Sequence, residues 1–365
     1  VAAKPKELPT KITDVARMAG VSSATVSRYF NGAKVEKHAA IERAISALKY
    51  RPSLAARSLK TGRSGAIAVI VPDIANDFFS SIVQGAESVV DEGRMVLLVN
   101  TGDSREREEQ ILGQLFGRVD GVILAPLTED EDVPSRFREL GLPLVFVDRV
   151  TRSGAGVSSV IADNAGGAKL ATHHLLDLGH TRIAMIGGPL RTTPGRFRAE
   201  GYRQALLDHG NDLGDRYFVE SDFSELGGYF AMEELLRRTP APTAVFTANN
   251  LMTLGALRLL HDRGVSIPEQ MSIIGFDDID TAELLNPPLT TIARDAFEQG
   301  VKAMQLMSKL LGKGSTSVVE HAMVDVRLVE RASCAGPRRE DTILPPTHMF
   351  DSAHAESSHQ EKREK

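Results

Sequence analysis

The chain has 365 residues, 42% of them hydrophobic, and a net charge of −5. It is long enough to build more than one core, and it lacks the run of about 18 apolar residues that a bilayer-crossing helix needs. The charge is unevenly placed. Residues 1–64 carry 13 Lys+Arg against four acids, a local charge of +9 that leaves −14 for the remainder. A basic head on an acidic body points to a polyanionic partner for the head alone. The stretch VAAKPKELPTK has no apolar segment, so no secretion signal is expected. One cysteine, Cys334, excludes an internal disulfide and fits a reducing, cytoplasmic setting.

In chain order, residues 1–10 are basic and loose. Ile12, Val15, Ala16 and Ala19 recur at three- and four-residue steps and predict a short amphipathic helix ended at Gly20. Ser22 stands where a hydroxyl can cap a second helix. There Val26 and Phe30 form the apolar stripe, so Ser23, Ala24, Ser27 and Arg28 face outward. Short hydrogen-bonding side chains, a methyl and an arginine suit the base edges of a major groove. The reading is a helix-turn-helix; a small helical bundle without a DNA role is the plain alternative. Residues 39–48 predict a third helix, stopped ahead of Pro52. SLAARSLKTG (53–62) is long enough for about two helical turns, too few to be stable alone, and reads as a hinge.

From Ala66 the pattern becomes βα alternation. Continuous apolar runs at 66–71, 95–99, 121–125 and 143–148 alternate with helical stretches near 79–92, 105–117 and 132–140. A second set of runs lies at 180–188, 215–221, 242–249 and 271–278, with helices near 165–178, 196–209, 225–237 and 251–263. Unbroken apolar runs are expected of strands buried on both faces of a parallel sheet. Two consecutive open sheets imply a ligand cleft at the carboxyl ends of their strands. Those ends are polar and aromatic: DIANDFF (73–79), Asp148-Arg149, Ala248-Asn249-Asn250 and Asp277-Asp278. Residues 315–331 read as an extended return and 334–365 as a disordered tail.

Taken together, DVARMAGVSSATVSRYFNG, RPSLAARSLKTGRSGAIAVIVPDIANDFF, IADNAGGAKLATHHLLDLGH, RFRAEGYRQAL, PTAVFTANNLMTLGALR and IIGFDDI resemble the LacI/GalR transcriptional repressors from about Ile12 to Ser333. The resemblance implies an α/β fold: a three-helix DNA-binding domain (1–52), a hinge helix (53–63) and a two-lobed periplasmic-binding-protein-like core (64–333). Its implied DNA-binding set is Ser22, Ser23, Ala24, Thr25, Ser27, Arg28 and Asn31, with Leu59 wedging into the minor groove and Lys60 beside it. Its implied effector set is Asn76, Phe78, Phe79, Asp148, Arg149, Arg196, Arg198, Phe223, Asn249 and Asp277. The implied partners are operator DNA, a second copy of the chain and a small effector: a sugar, sugar acid or sugar phosphate, with a purine as the alternative. Departures are Lys11 at a usual capping threonine, where Thr10 could cap instead, and Asn250 at a usual aspartate.

Rival readings fare worse. Neither G-x-G-x-x-G nor G-x-x-x-x-G-K-[ST] occurs, so a nucleotide enzyme is not expected. His173, His174 and His180 lack metal-ligand spacing, and no metal or other cofactor is expected. A sugar-binding transport protein would share the core but not the basic head.

Overall fold

The computed structural model describes residues 10–30, 32–51, 63–91, 93–127, 129, 132–151, 156–312 and 319–338. The proposed hinge, with Leu59 and Lys60, lies outside the described residues, as does Asn31.

The head is three helices, α1 (Ile12–Ala19), α2 (Ser23–Phe30) and α3 (His38–Leu48). Val15, Val26 and Ile41 are wholly buried at its centre, each contributing about 1.5–3 kcal/mol of transfer free energy. Gly20 ends α1 with φ 63°, the left-handed conformation that a tight exit requires. Ser22 Oγ accepts the Thr25 N–H at 3.1 Å and so caps α2. Thr10 does not cap α1. Its hydroxyl turns to the Leu48 carbonyl, and the Asp14 carboxylate accepts the Lys11 N–H instead. An acid in the first turn also suits the helix dipole.

Two six-stranded sheets follow. The first uses β1 (Ala66–Val71), β2 (Met95–Asn100), β3 (Gly121–Leu124), β4 (Leu144–Val147), β5 (Ser158–Ala162) and β11 (His321–Val324), ordered β11-β5-β4-β3-β1-β2. Around it lie α4 (Asp77–Ser88), α5 (Arg105–Leu115), α6 (Asp132–Glu139) and α11 (Ala296–Leu311). The second uses β6 (Ile183–Gly187), β7 (Phe218–Glu220), β8 (Ala244–Thr247), β9 (Ser272–Phe276), β10 (Thr290–Arg294) and β12 (Val326–Val329), ordered β12-β10-β9-β8-β6-β7. Its helices are α7 (Asn164–Asp177), α8 (Thr193–Asp208), α9 (Glu225–Leu236) and α10 (Asn250–Asp262). All pairings are parallel except β10–β12, an antiparallel edge.

Several expectations change. The lobes are not consecutive: the chain crosses between them after β5, after β10 and between β11 and β12, at Asp163, Asp295 and Asp325. The run at 215–221 opens as a 3-10 turn, Asp215–Tyr217, leaving a strand of only three residues. β2 is an edge strand rather than a doubly buried one, and Met95, Leu97 and Leu98 are exposed. The expected tail also starts too early. Ser333 is buried, its Oγ accepting the Thr290 N–H and donating to the Ile273 carbonyl, and the Ala335 N–H donates to Ser272 Oγ. Residues 333–335 thus belong to the second lobe.

Candidate functional site: an exposed recognition helix and a buried interlobe cleft

On α2, Ala24 and Arg28 are exposed and Ser23, Thr25 and Ser27 half-buried, while Val26 faces inward. The Arg28 guanidinium lies 3.5 Å from Thr25 Oγ1, and Ser22 Oγ and Thr25 Oγ1 pair at 2.9 Å. This is an open polar helix face, held from behind by a small core.

The second site is a cavity of about 60 Å³ between the lobes, walled at the carboxyl ends of the strands. It gathers Asn76, Phe78, Phe79, Asp148, Arg149, Arg198, Phe223, Asn249 and Asp277. Arg196 is not among them. It turns to Glu129, with Nη1 3.0 Å from Oε2. Glu129 is a buried carboxylate on the facing lobe, and the pair spans the two lobes.

The lining also includes Asp73, Asp103, Asp222 and Arg294, which the sequence reading did not select. Asp103 and Asp222 follow β2 and β7 and fall under the same strand-end rule. Arg294 could not be found that way, because β10 was not read as a strand. Yet Arg294 is central. Its Nη1 donates to Asp148 at 2.7 Å and its Nε to Asp277 at 2.6 Å, one carboxylate from each lobe. Its guanidinium carbon lies 3.6 Å over the Phe78 ring.

Local folding explains these placements. Asn76 Oδ1 caps α4 through the Phe78 N–H and Asn249 Oδ1 caps α10 through the Met252 N–H, so cleft and helix start are one construction. Asp103, Asp148, Phe223 and Asp277 all hold left-handed φ between 53° and 66°, or 75° for Asp277. Such backbone costs about 1–3 kcal/mol per residue and concentrates where side chains must be aimed. A Cβ on Gly188 would collide with the Phe223 ring, so glycine is what lets that ring reach the cavity.

Electrostatics are severe. Burial alone would raise the Asp148 pKa, but Arg294 and Arg149 hold it below the usual value. Burial pushes Arg198 down to about 9, with Arg294 adding to the effect against Asp277 and Asp148. Arg198 donates to Asn164 Oδ1 and the Ala248 carbonyl and stacks 3.5 Å over Phe276. Its Nη2 and the Arg149 Nε are buried without a hydrogen-bond partner among the described residues.

Other contacts join the lobes. Asn76 and Asn250 exchange amide hydrogen bonds of 3.3 and 3.0 Å. Thr193 Oγ1 donates to Glu129 Oε1 at 2.6 Å.

Residues 11–53 match the family described as bacterial regulatory proteins, lacI family, and residues 172–334 match a periplasmic binding protein-like domain. The ribose operon repressor of Escherichia coli (strain K12) is 39% identical over 303 residues, covering 80% of this chain and 91% of its own length. The chain belongs to the LacI family. CelR, an HTH-type transcriptional regulator of Thermobifida fusca, is 36% identical over 87% of this chain and 96% of its own. Among solved structures, a lac repressor dimer bound to operator and an anti-inducer superposes with TM-score 0.79 and 29% identity, over 90% of this chain and all of that one. A LacI family regulator from Enterococcus faecium with bound ribose gives TM-score 0.66 and 32% identity, over 75% of this chain and all of that one.

As a LacI family member the protein is a DNA-binding transcriptional repressor and not an enzyme. Among the described residues, no helix is long and apolar enough to cross a membrane. His180, one of three histidines weighed as a metal ligand, bonds instead to Thr243, Ser272 and the Ala335 carbonyl, pinning the C-terminal segment.

Proposed function

We propose that the chain works as a homodimer in which two α2 helices read the half-sites of an operator and a small sugar or sugar derivative between the lobes sets the affinity. Ser23, Ala24 and Arg28 would touch base edges, and Ser22, Thr25 and Ser27 the flanking backbone. Asn31, Leu59 and Lys60 complete the proposed DNA-binding set. The observation that carries the effector half is the composition of the cleft. Both lobes contribute buried carboxylates, guanidiniums and aromatic rings to one cavity, the combination that holds a ring bearing several hydroxyls. Structural relatives add weight, since one of them was solved with ribose in place.

The mechanism follows from the three crossovers. Each lobe is built on its own buried core, and polar contacts that join the lobes lie beside the cavity. A ligand that prefers one lobe angle shifts the population toward it and changes operator affinity by its differential affinity for the two states.

A duplex selected from random DNA by the full chain provides the test. Its binding is followed by fluorescence anisotropy with and without ribose, other simple sugars and purines. A sugar should change operator affinity by roughly 5–150-fold, the usual range of such coupling. A response to purines alone would replace the sugar reading.

A further inference from the structure

Resting on the homodimer reading, we infer that Asp120 is the anchor of the DNA-binding arm: a positioning residue that fastens the end of the linker to the first lobe and so sets how two heads meet two half-sites. The linker re-enters the described chain at Arg63, and one residue gathers the three positions that follow. The Asp120 carboxylate accepts the Ser64 N–H at 2.6 Å and the Ser64 hydroxyl at 2.9 Å through Oδ1, and the Gly65 N–H at 3.0 Å through Oδ2. Its own N–H donates to the Ala66 carbonyl at 2.7 Å. Ser64 Oγ in turn accepts the Ala66 N–H at 3.1 Å. Bonds from backbone N–H groups to a carboxylate are charge-assisted, roughly twice as strong as neutral ones.

The place of the anchor matters as much as its strength. Asp120 immediately precedes β3, and Ser64 and Gly65 precede β1, its parallel neighbour, so the anchor lies at the amino-terminal edge of the first sheet, opposite the cleft. Arg63 adds a second tie there. Its Nη2 donates to the Leu311 carbonyl at 3.2 Å, at the end of α11, where a cation also suits the helix dipole. α11 begins beside Arg294 and the crossing at Asp295, so one helix joins the cleft edge of the lobe to its linker edge. Asp120 and Ser64 are half-buried and lie outside the cavity lining. An arm held at its base searches a smaller volume than one that swings freely. Once one head of a dimer is on DNA, binding of the second is intramolecular, at an effective concentration set by the length and stiffness of the connection. Asp120 raises that concentration without touching DNA.

The test compares the full chain with Asp120→Asn, which sets an amide NH2 against the Gly65 N–H. Both are titrated by fluorescence anisotropy on two duplexes: the one selected from random DNA, and the same duplex with one half-site scrambled. Wild type should prefer the full site, since avidity of this kind reaches roughly 10²–10⁴-fold. Asp120→Asn should lose about tenfold of that preference, while its affinity for the half-site duplex and the melting of the two lobes stay at wild-type values. Trypsin reports the fastening itself: cleavage of the Arg63–Ser64 bond, measured against cleavage after Lys60, should be faster in the variant. Ser64→Ala, which removes both bonds of the hydroxyl, should lose less in the same direction; if Asp120→Asn does not fold, Ser64→Ala decides alone. A variant that keeps the full-site preference would overturn the inference and leave the homodimer reading standing. So would an equal loss on both duplexes, which would place the damage in the head, or a loss that only tracks a lower melting temperature of the lobes. A wild type that binds both duplexes alike would overturn the homodimer reading and the inference with it.

Discussion

The recognition helix and the interlobe cleft use the same side chain in opposite ways. Arg28 lies exposed on α2, hydrated until a duplex arrives, whereas Arg294 is 3% exposed and saturated by two carboxylates. At the head, the proposed free energy is that of phosphate neutralisation and base-edge hydrogen bonds made on binding, which salt would screen. In the cleft the interactions already exist in the folded chain, and a ligand of the proposed kind would act by rearranging them. The face proposed for a long polyanion is thus open to solvent, whereas the cavity proposed for a small molecule is lined by ion pairs already in place.

The sharpest way to break this contrast is Arg294→Ala. It leaves two buried carboxylates facing each other, and loss of one partner from a buried ion pair costs roughly 3–5 kcal/mol. Urea denaturation should show that loss; a change below about 1 kcal/mol would mean that the cleft is wet and the triad weakly coupled.

Arg28→Ala should leave stability untouched and cost roughly 1–3 kcal/mol on the preferred operator, with relaxed choice at one base pair. Equal loss on random duplex would make Arg28 a phosphate contact.

Acid sharpens the comparison further. Because the folded-state pKa of Asp148 is depressed, its contribution is complete above the unfolded value of about 3.9 and is lost as pH falls through the lower folded value. Thermal melts between pH 5 and 2, ranges chosen around that reference value, should decline less steeply for Asp148→Asn than for wild type.

The smallest expected effect is that of Ser22→Ala. Loss of the cap on α2 costs about 1 kcal/mol, confined to the head, so a separate transition for residues 10–51 should move while the melting of the two lobes does not.

Much of this was legible before any coordinates. Gly20, Ser22, Val26 and Phe30 lie at spacings that only a short helix pair satisfies, and the structure places them accordingly. Asn76, Phe79, Asp148, Asn249 and Asp277 sit just after apolar runs, and parallel sheets put such positions on one edge. Arg196 shows where that rule fails: it lies one helical turn into α8, and Glu129 on the facing lobe claims it. Arg294 shows the converse. TTIAR is too short and too polar to announce a strand, so its arginine carried no signal until β9 and β12 were seen to flank it.

Periodicity, capping residues and charge segregation, all carried by neighbours within a few positions, were enough to predict the basic three-helix head, the α/β alternation and the strand-end part of the cleft lining, while Arg198 and Phe223 came only from the family resemblance. Tertiary structure alone decided the three crossings between lobes, the exposure of β2, the docking of residues 333–335 and the Asp148–Arg294–Asp277 triad. Each of these joins groups far apart in the chain. The two carboxylates and the guanidinium span 146 positions between Asp148 and Arg294, and a contact at that separation leaves no local pattern to read.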